Sequence, residues 1–191
     1  MKKLVAAIDE LHPLSEESKK EFSKILEVQN FKKKTVIAEL GEVPSHFYIL
    51  KSGIVRSYIA DEKGKEFTRS LYTSITAVGA FSALIKQEPS NIIYECLTDC
   101  ELYAGDFNKF KKLVSENTDL AILYSKVLEL LFVKMEKRIL ELSMLDAKQR
   151  YLKLKRRIPK IENLIPQYHI ASYLNITPVQ LSRIRKSLYR K

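Results

Sequence analysis

All five glycines of this chain lie between Gly41 and Gly105, and none follows. Glycine marks tight turns, so strands joined by short connections belong in that interval and helices on either side of it. Inside the interval the apolar residues come in short runs: Thr35-Val36-Ile37, Phe47 to Leu50, Ile54 to Ile59, Phe67 to Tyr72, Ile92 to Leu97 and Cys100 to Ala104. Asp61-Glu62-Lys63-Gly64 reads as a polar hairpin tip, and Gly79 to Ile85 as a turn entering a short helix. Closely spaced short strands of this kind predict a small β-barrel or roll. Ahead of it, Ser15-Glu16-Glu17 opens a helix whose Phe22, Ile25 and Leu26 face inward.

After Asp106 the chain is expected to be helical. Asn117-Thr118-Asp119 precedes a run without Gly or Pro as far as Asp146. Within it Ala121, Tyr124, Leu128, Leu131, Met135, Arg138, Leu142 and Leu145 alternate spacings of three and four, a heptad seam for a partner helix. A second stripe, Leu120, Leu123, Val127 and Leu130, is predicted to pack back on the β module. Two stripes on one helix imply a parallel homodimer; the alternative is one helix buried within its own chain. Asp146 is a candidate N-cap for a basic helix from Ala147 to Arg157, which Ile158-Pro159 ends.

Charge divides the chain at the same place. Residues 146–191 hold 12 Lys/Arg and two acids, a surplus of ten. Residues 1–145 hold 21 of each, so the whole net charge of +10 belongs to the C-terminal segment. Its direct implication is an anionic partner for that segment. The last stretch, Leu164 to Lys191, reads as two short helices around a tight turn. Ile170, Ala171 and Leu174 form the apolar face of the first, Asn175 stands at the turn, and Thr177-Pro178 starts the second. Leu181, Ile184 and Leu188 form the buried stripe of that second helix. Gln180, Ser182, Arg183, Lys186 and Arg190 lie opposite, a cationic, amide-bearing front that fits a DNA major groove. The pattern is that of a helix-turn-helix.

Other chemistry finds little support. Cys96 and Cys100 stand in a CxxxC spacing with no further cysteine, so they are expected in the cores of strands rather than on a metal. His12, His46 and His169 are isolated and expected on the surface or in loops. No phosphate loop, nucleophile motif or paired carboxylates occur, which argues against an enzyme. The absence of a signal peptide or transmembrane run predicts a cytoplasmic protein with no membrane partner.

Taken together, these stretches resemble the Crp/Fnr family of bacterial transcription regulators over nearly the full length. Gly41-Glu42 followed by Phe47-Tyr48-Ile49-Leu50-Lys51-Ser52-Gly53 is similar to the family's roll signature. Asp146-Ala147-Lys148-Gln149-Arg150-Tyr151 resembles its hinge and following helix. Ile170 to Pro178 and Leu181 to Ile184 look like the helix-turn-helix of many Bacteroidetes members. The resemblance implies an α+β fold: an N-terminal cyclic-nucleotide-binding-type β-roll (double-stranded β-helix or jelly-roll type) with flanking helices over 1–117, a long dimerisation helix over 118–145, and a DNA-binding domain over 146–191. Only six residues separate Pro159 from Pro166, too few for the usual β-hairpin wing, which is expected to be reduced or absent.

Departures from the family pattern bear on the ligand. Members that bind cAMP place a Gly-Glu pair, then an Arg followed by Ser or Thr, where this chain has Gly79-Ala80 and Ser90-Asn91. A buried cyclic phosphate without its cation loses a charge-assisted hydrogen bond worth about 1.5–3 kcal/mol. The anchors on the dimer helix are replaced by Met135 and Glu136. No cofactor is therefore expected and cAMP dependence is disfavoured. The candidate effector pocket comprises Gly79, Ala80, Phe81, Ser82, Ser90, Asn91 and Met135, with Ile92 beside it. It holds either an apolar or neutral molecule or nothing but its own side chains.

For DNA, Val179, Gln180, Ser182 and Arg183 are the expected base readers, and Gln167, Tyr168, Thr177 and Lys186 the expected phosphate contacts. The family's Arg and Glu readers are replaced by Pro178 and Val179, so its target sequence does not carry over. Expected partners are double-stranded DNA, a second copy of the chain and, if the protein activates, RNA polymerase. The competing readings are a cyclic-nucleotide-responsive regulator of the same family and a protein-interaction adaptor that does not bind DNA.

Overall fold

The computed structural model describes residues 2–189. In chain order the elements are α1 (Lys2–Leu11), α2 (Glu16–Lys24), β1 (Leu26–Phe31), β2 (Val36–Ala38), β3 (His46–Ser52), β4 (Val55–Ala60), β5 (Glu66–Tyr72) and β6 (Thr76–Val78). There follow α3 (Phe81–Lys86), β7 (Ile93–Cys96), β8 (Cys100–Asp106), α4 (Phe107–Glu116), α5 (Thr118–Met144), α6 (Ala147–Arg157), α7 (Ile161–Leu164), α8 (Gln167–Tyr173) and α9 (Pro178–Tyr189). The strands form two four-stranded antiparallel sheets, ordered β1-β8-β3-β6 and β2-β7-β4-β5.

Alternation along β3 shows how the layers stack. Tyr48 and Leu50 enter the core between the sheets, with Val55, Tyr94, Cys96 and Leu102. Phe47 and Ile49 point to the other face, where α1, α2, α4 and α5 cover the first sheet with Leu4, Phe22, Phe110 and Leu120. Both faces of this sheet are buried because successive side chains alternate across a strand. The second sheet is covered on its outer side by the C-terminal helices, whose core (Tyr151, Ile161, Ile170, Leu174 and Leu181) takes in Ile54, Leu71 and Leu97 of the roll. Gly53 makes the β3–β4 turn possible: its φ is +99°, and a Cβ there would meet the Asp99 carbonyl and the Cys100 sulfur at 2.6 Å.

Caps define the helices as their sequences imply. Ser15, Asn117 and Asp146 are N-caps, and Asp146 with Gln149 forms a reciprocal capping box. Cys96 and Cys100 are buried in the roll core. The hairpin tip at Asp61–Gly64 and the short helix after Gly79 stand where the residues place them. Three details differ. Ile25 caps α2 and Leu26 already pairs with Gly105 in β1, an edge strand whose mostly polar outer side hides it from pattern reading. His169 is buried rather than on the surface. Leu130, expected against the roll, is half exposed.

The long helix shows a shift of phase. Tyr124 packs edge-on against Phe110, ring centroids 5.5 Å apart, in the chain's own core. Arg138 donates to the Tyr173 carbonyl and lies 4.0 Å over the Tyr173 ring. Leu131 and Leu145 are also partly covered by their own chain. Tyr124 and Arg138 are thus engaged within their own chain, and Leu128 is covered to the same partial extent as Leu131 and Leu145. Leu128, Met135 and Leu142 keep their places, but the exposed apolar residues alternating with them are Phe132 and Ile139, 63% and 64% exposed. Ala121, Ser125, Leu128, Phe132, Met135, Ile139 and Leu142 run at spacings of four and three along one side of α5. Val133, Leu140 and Met144 add exposed apolar surface beside that stripe. A helix this apolar around its circumference calls for burial by another element.

Candidate nucleic-acid interface

Helices α8 and α9 are joined through Leu174, Asn175, Ile176 and Thr177. Asn175 takes the left-handed turn at φ +54°, a conformation its side chain tolerates better than most. Its N–H donates to the Ser172 carbonyl, and that of Ile176 to Ala171, which closes the end of α8. Ile170, Ala171, Leu174 and Leu181 are fully buried behind the turn. This apolar back forces the other sides of α8 and α9 outward.

On the outward side, Val179 is 61% exposed, and Gln180, Arg183 and Lys186 are exposed with it. Ser182 is half-buried. At the start of α8 Gln167 and Tyr168 are exposed, so they share the outer surface of the motif. Thr177 and Gln180 have a further job. The Gln180 N–H donates to Thr177 Oγ1 at 3.2 Å, and the Thr177 N–H donates to Gln180 Oε1 at 2.8 Å. This capping box was legible as Thr-x-x-Gln, and it turns the Gln180 side chain back on its own helix. A bidentate contact to adenine, which needs the amide oxygen as well as its NH2, requires giving up the cap. Arg185 faces away from this surface and pairs with Glu162 at 3.0 Å. Arg190 lies outside the described residues.

The motif is docked on the roll through α8. The Thr68 N–H of β5 donates to Ser172 Oγ at 2.8 Å, and that hydroxyl donates to the Glu66 carbonyl at 3.0 Å. Because β5 is the last strand of its sheet, one serine side chain satisfies part of its open edge. Beside it, the buried Arg56 guanidinium is held by Glu66 and Glu95, each 2.5 Å away, and stacks 3.7 Å over Tyr58. His169 is buried next to this cluster. Burial, and then the nearby Arg56 charge, push its pKa down to about 4, so the ring is neutral at physiological pH. Sequence reasoning missed both Ser172 and His169, because nothing local shows that α8 meets the sheet.

The residues expected to form an effector pocket have differing surroundings. Ala80 and Ser90 are buried, and the Ser90 hydroxyl is committed to Ile92, donating to its carbonyl at 2.7 Å. Asn91 is exposed, and Gly79 stands in the turn between β6 and α3 at φ +157°, a conformation glycine adopts freely. Ser82 is exposed. Phe81 turns instead to the outer side of the first sheet, against α1 and α5. Met135 sits on α5 with its sulfur 3.2 Å from an Arg69 guanidinium nitrogen. Between the sheets, Phe31 meets Tyr48 edge-on at 6.0 Å and Tyr72 lies 6.0 Å from Tyr94. Burial raises the pKa of the Tyr94 phenol and keeps it neutral. The described residues contain no group of His, Cys, Asp or Glu arranged to hold a metal, and no helix long and apolar enough to cross a membrane.

Comparison with known proteins places this architecture. Residues 28–117 match the family described as cyclic nucleotide-binding domain. No curated protein sequence matches the chain. Among solved structures, the c-di-GMP-responsive global regulator CLP of Xanthomonas campestris superposes with a TM-score of 0.71 at 16% identity, covering 91% of each chain. FixK2 of Bradyrhizobium japonicum gives 0.73 at 18% identity, over 86% of this chain and 85% of that one. A CRP/FNR-family transcriptional regulator from Thermus thermophilus gives 0.64 at 22% identity over 85% of each.

Proposed function

We propose that this chain, whose residues 28–117 form a cyclic nucleotide-binding domain on a fold shared with CRP/FNR transcription regulators, is a cytoplasmic, homodimeric, sequence-specific DNA-binding regulator. The observation that carries the reading is the outer face of α8 and α9. It is exposed, it stands on a buried apolar back, and it belongs to the segment that holds the whole net charge. Val179, Ser182 and Arg183 face base edges; Gln180 joins them when its cap opens. Gln167, Tyr168, Thr177 and Lys186 hold phosphates. The stripe of Leu128, Phe132, Met135, Ile139 and Leu142 pairs α5 with its twin and sets two α9 helices one DNA turn apart. RNA polymerase is a further partner if the protein activates.

The regulator works without cAMP in this reading. Tyr48, Tyr72, Tyr94 and Phe31 occupy the space between the sheets, and the Ser90 hydroxyl is already committed. The domain match favours the second reading, a nucleotide-controlled regulator, and calorimetry with cAMP and cGMP separates the two: the cAMP-independent reading expects no heat. The main test is selection of bound duplexes from random DNA by the full chain. Enrichment of a palindrome with half-sites one helical turn apart is expected; enrichment of nothing, or of a single unpaired half-site, would refute the dimeric reader.

A further inference from the structure

The outer side of the β1-β8-β3-β6 sheet is incompletely filled. A pocket of about 130 Å³ lies between this sheet, α1 and the first half of α5. Ile8 of α1, Ile49 and Ala77 of the sheet, Phe81 of α3, and Tyr124 and Val127 of α5 contribute to its wall, which is apolar apart from the tyrosine. Protein interiors pack to crystal-like density with few voids above the size of a water molecule. This apolar recess, partly open to solvent, is a poor home for ordered water, which needs two or more polar partners, and an enclosed cavity of about 150 Å³ lined by such side chains accepts benzene.

Two further observations bear on this pocket. Ile75, also in the wall, has φ +56°, a left-handed conformation in which a β-branched residue is strained. Backbone strain of this kind persists where the surroundings enforce it, and ligand clamps are one such place. The pocket also touches the helix proposed for assembly: Leu128, itself half-buried, lines it and belongs to the heptad stripe. A guest there presses on α5 directly. A carboxylate or phosphate would lose its hydration against this wall with only the Tyr124 hydroxyl to replace it, so charged ligands are disfavoured.

We propose that this pocket, outside the space between the sheets, is an effector site for an uncharged, ring-sized apolar molecule. Binding rests on the pocket alone; its consequence for DNA rests on the regulator reading above.

Toluene is the probe, with sodium benzoate as a charged control of similar size, in methyl-resolved NMR titrations of the full chain. Toluene is expected to shift Ile8, Ile49, Ile75 and Val127, and benzoate to leave them in place. Ala77→Leu fills the pocket and should weaken toluene binding at least tenfold; Ala7→Leu does so from α1 and decides the matter if the first variant fails to fold. No shift up to the solubility of toluene, shifts centred on Val55 and Val78 between the sheets, or undiminished binding by the filled variants would overturn the site. In the same samples toluene should change affinity for the selected duplex at least threefold in the parent and not in the filled variants. Mapped binding with unchanged DNA affinity overturns the effector role. Mapped binding by a chain that retains no DNA supports the site and counts against the regulator reading instead.

Discussion

The proposed pairing of α5 with its twin can be tested by removing Phe132 and Ile139 together. In the protomer these side chains are 63% and 64% exposed, so replacing them with alanine costs the isolated fold little. Full burial of such a side chain is worth about 1.5–3 kcal/mol. With roughly two thirds of each left to bury, and allowing for the Cβ that alanine keeps, each truncation forfeits about 1–1.5 kcal/mol at the interface. A symmetric dimer loses four such side chains, hence about 4–6 kcal/mol, which raises its dissociation constant by about three to four decades, roughly 700-fold to 20,000-fold. Sedimentation equilibrium over a concentration series measures this. Leu131→Ala is the control, because Leu131 is partly covered by its own chain and should weaken folding more than assembly. A Phe132→Ala/Ile139→Ala chain that dimerises within threefold of the parent would refute this packing of α5.

Arg183→Ala should weaken binding to the selected duplex by about 1–3 kcal/mol and relax preference at one base position, read by anisotropy titration against single-site variants of that duplex. Asp146→Ala removes half of a capping box and should lower unfolding stability by about 1 kcal/mol in denaturant titration. The buried His169 predicts an acid-sensitive fold. The unfolded ring takes its proton near pH 6.5 and the folded ring only near pH 4, so below pH 6.5 the unfolded state gains the extra proton. Stability should therefore fall by about 3 kcal/mol between those values, on the scale of 1.36 kcal/mol per pH unit, and a His169→Leu chain should lose much of that slope.

Residues that state their own geometry were legible in the sequence. Asp146 with Gln149, Asn175 at its turn, and Thr177-Pro178 each act through neighbours within four positions, so the local string contains the whole interaction. Strands β3 to β5 were visible for a related reason: their apolar runs end at Gly53 and Gly64, whose positive φ values require turns. What lay hidden depends on contacts distant in sequence. Ser172 meets β5 more than a hundred residues away, and His169 is buried by the same docking. Strand β1 is an edge strand that presents polar residues to solvent. The phase of the long helix was ambiguous because α5 offers two heptad series sharing Leu128, Met135 and Leu142. Only the place of Phe110 and Tyr173 in the fold shows that Tyr124 and Arg138 turn inward.

The salt dependence of binding to the selected duplex tests most directly that a cationic, dimeric surface lies along DNA. Each phosphate contact contributes a slope of about −0.9 to a plot of log affinity against log salt concentration. Two copies holding three to five phosphates apiece give a slope of roughly −5 to −9. A slope in that range, with two chains per duplex, is the predicted result. A slope near zero, or one chain per duplex at saturation, would contradict the account.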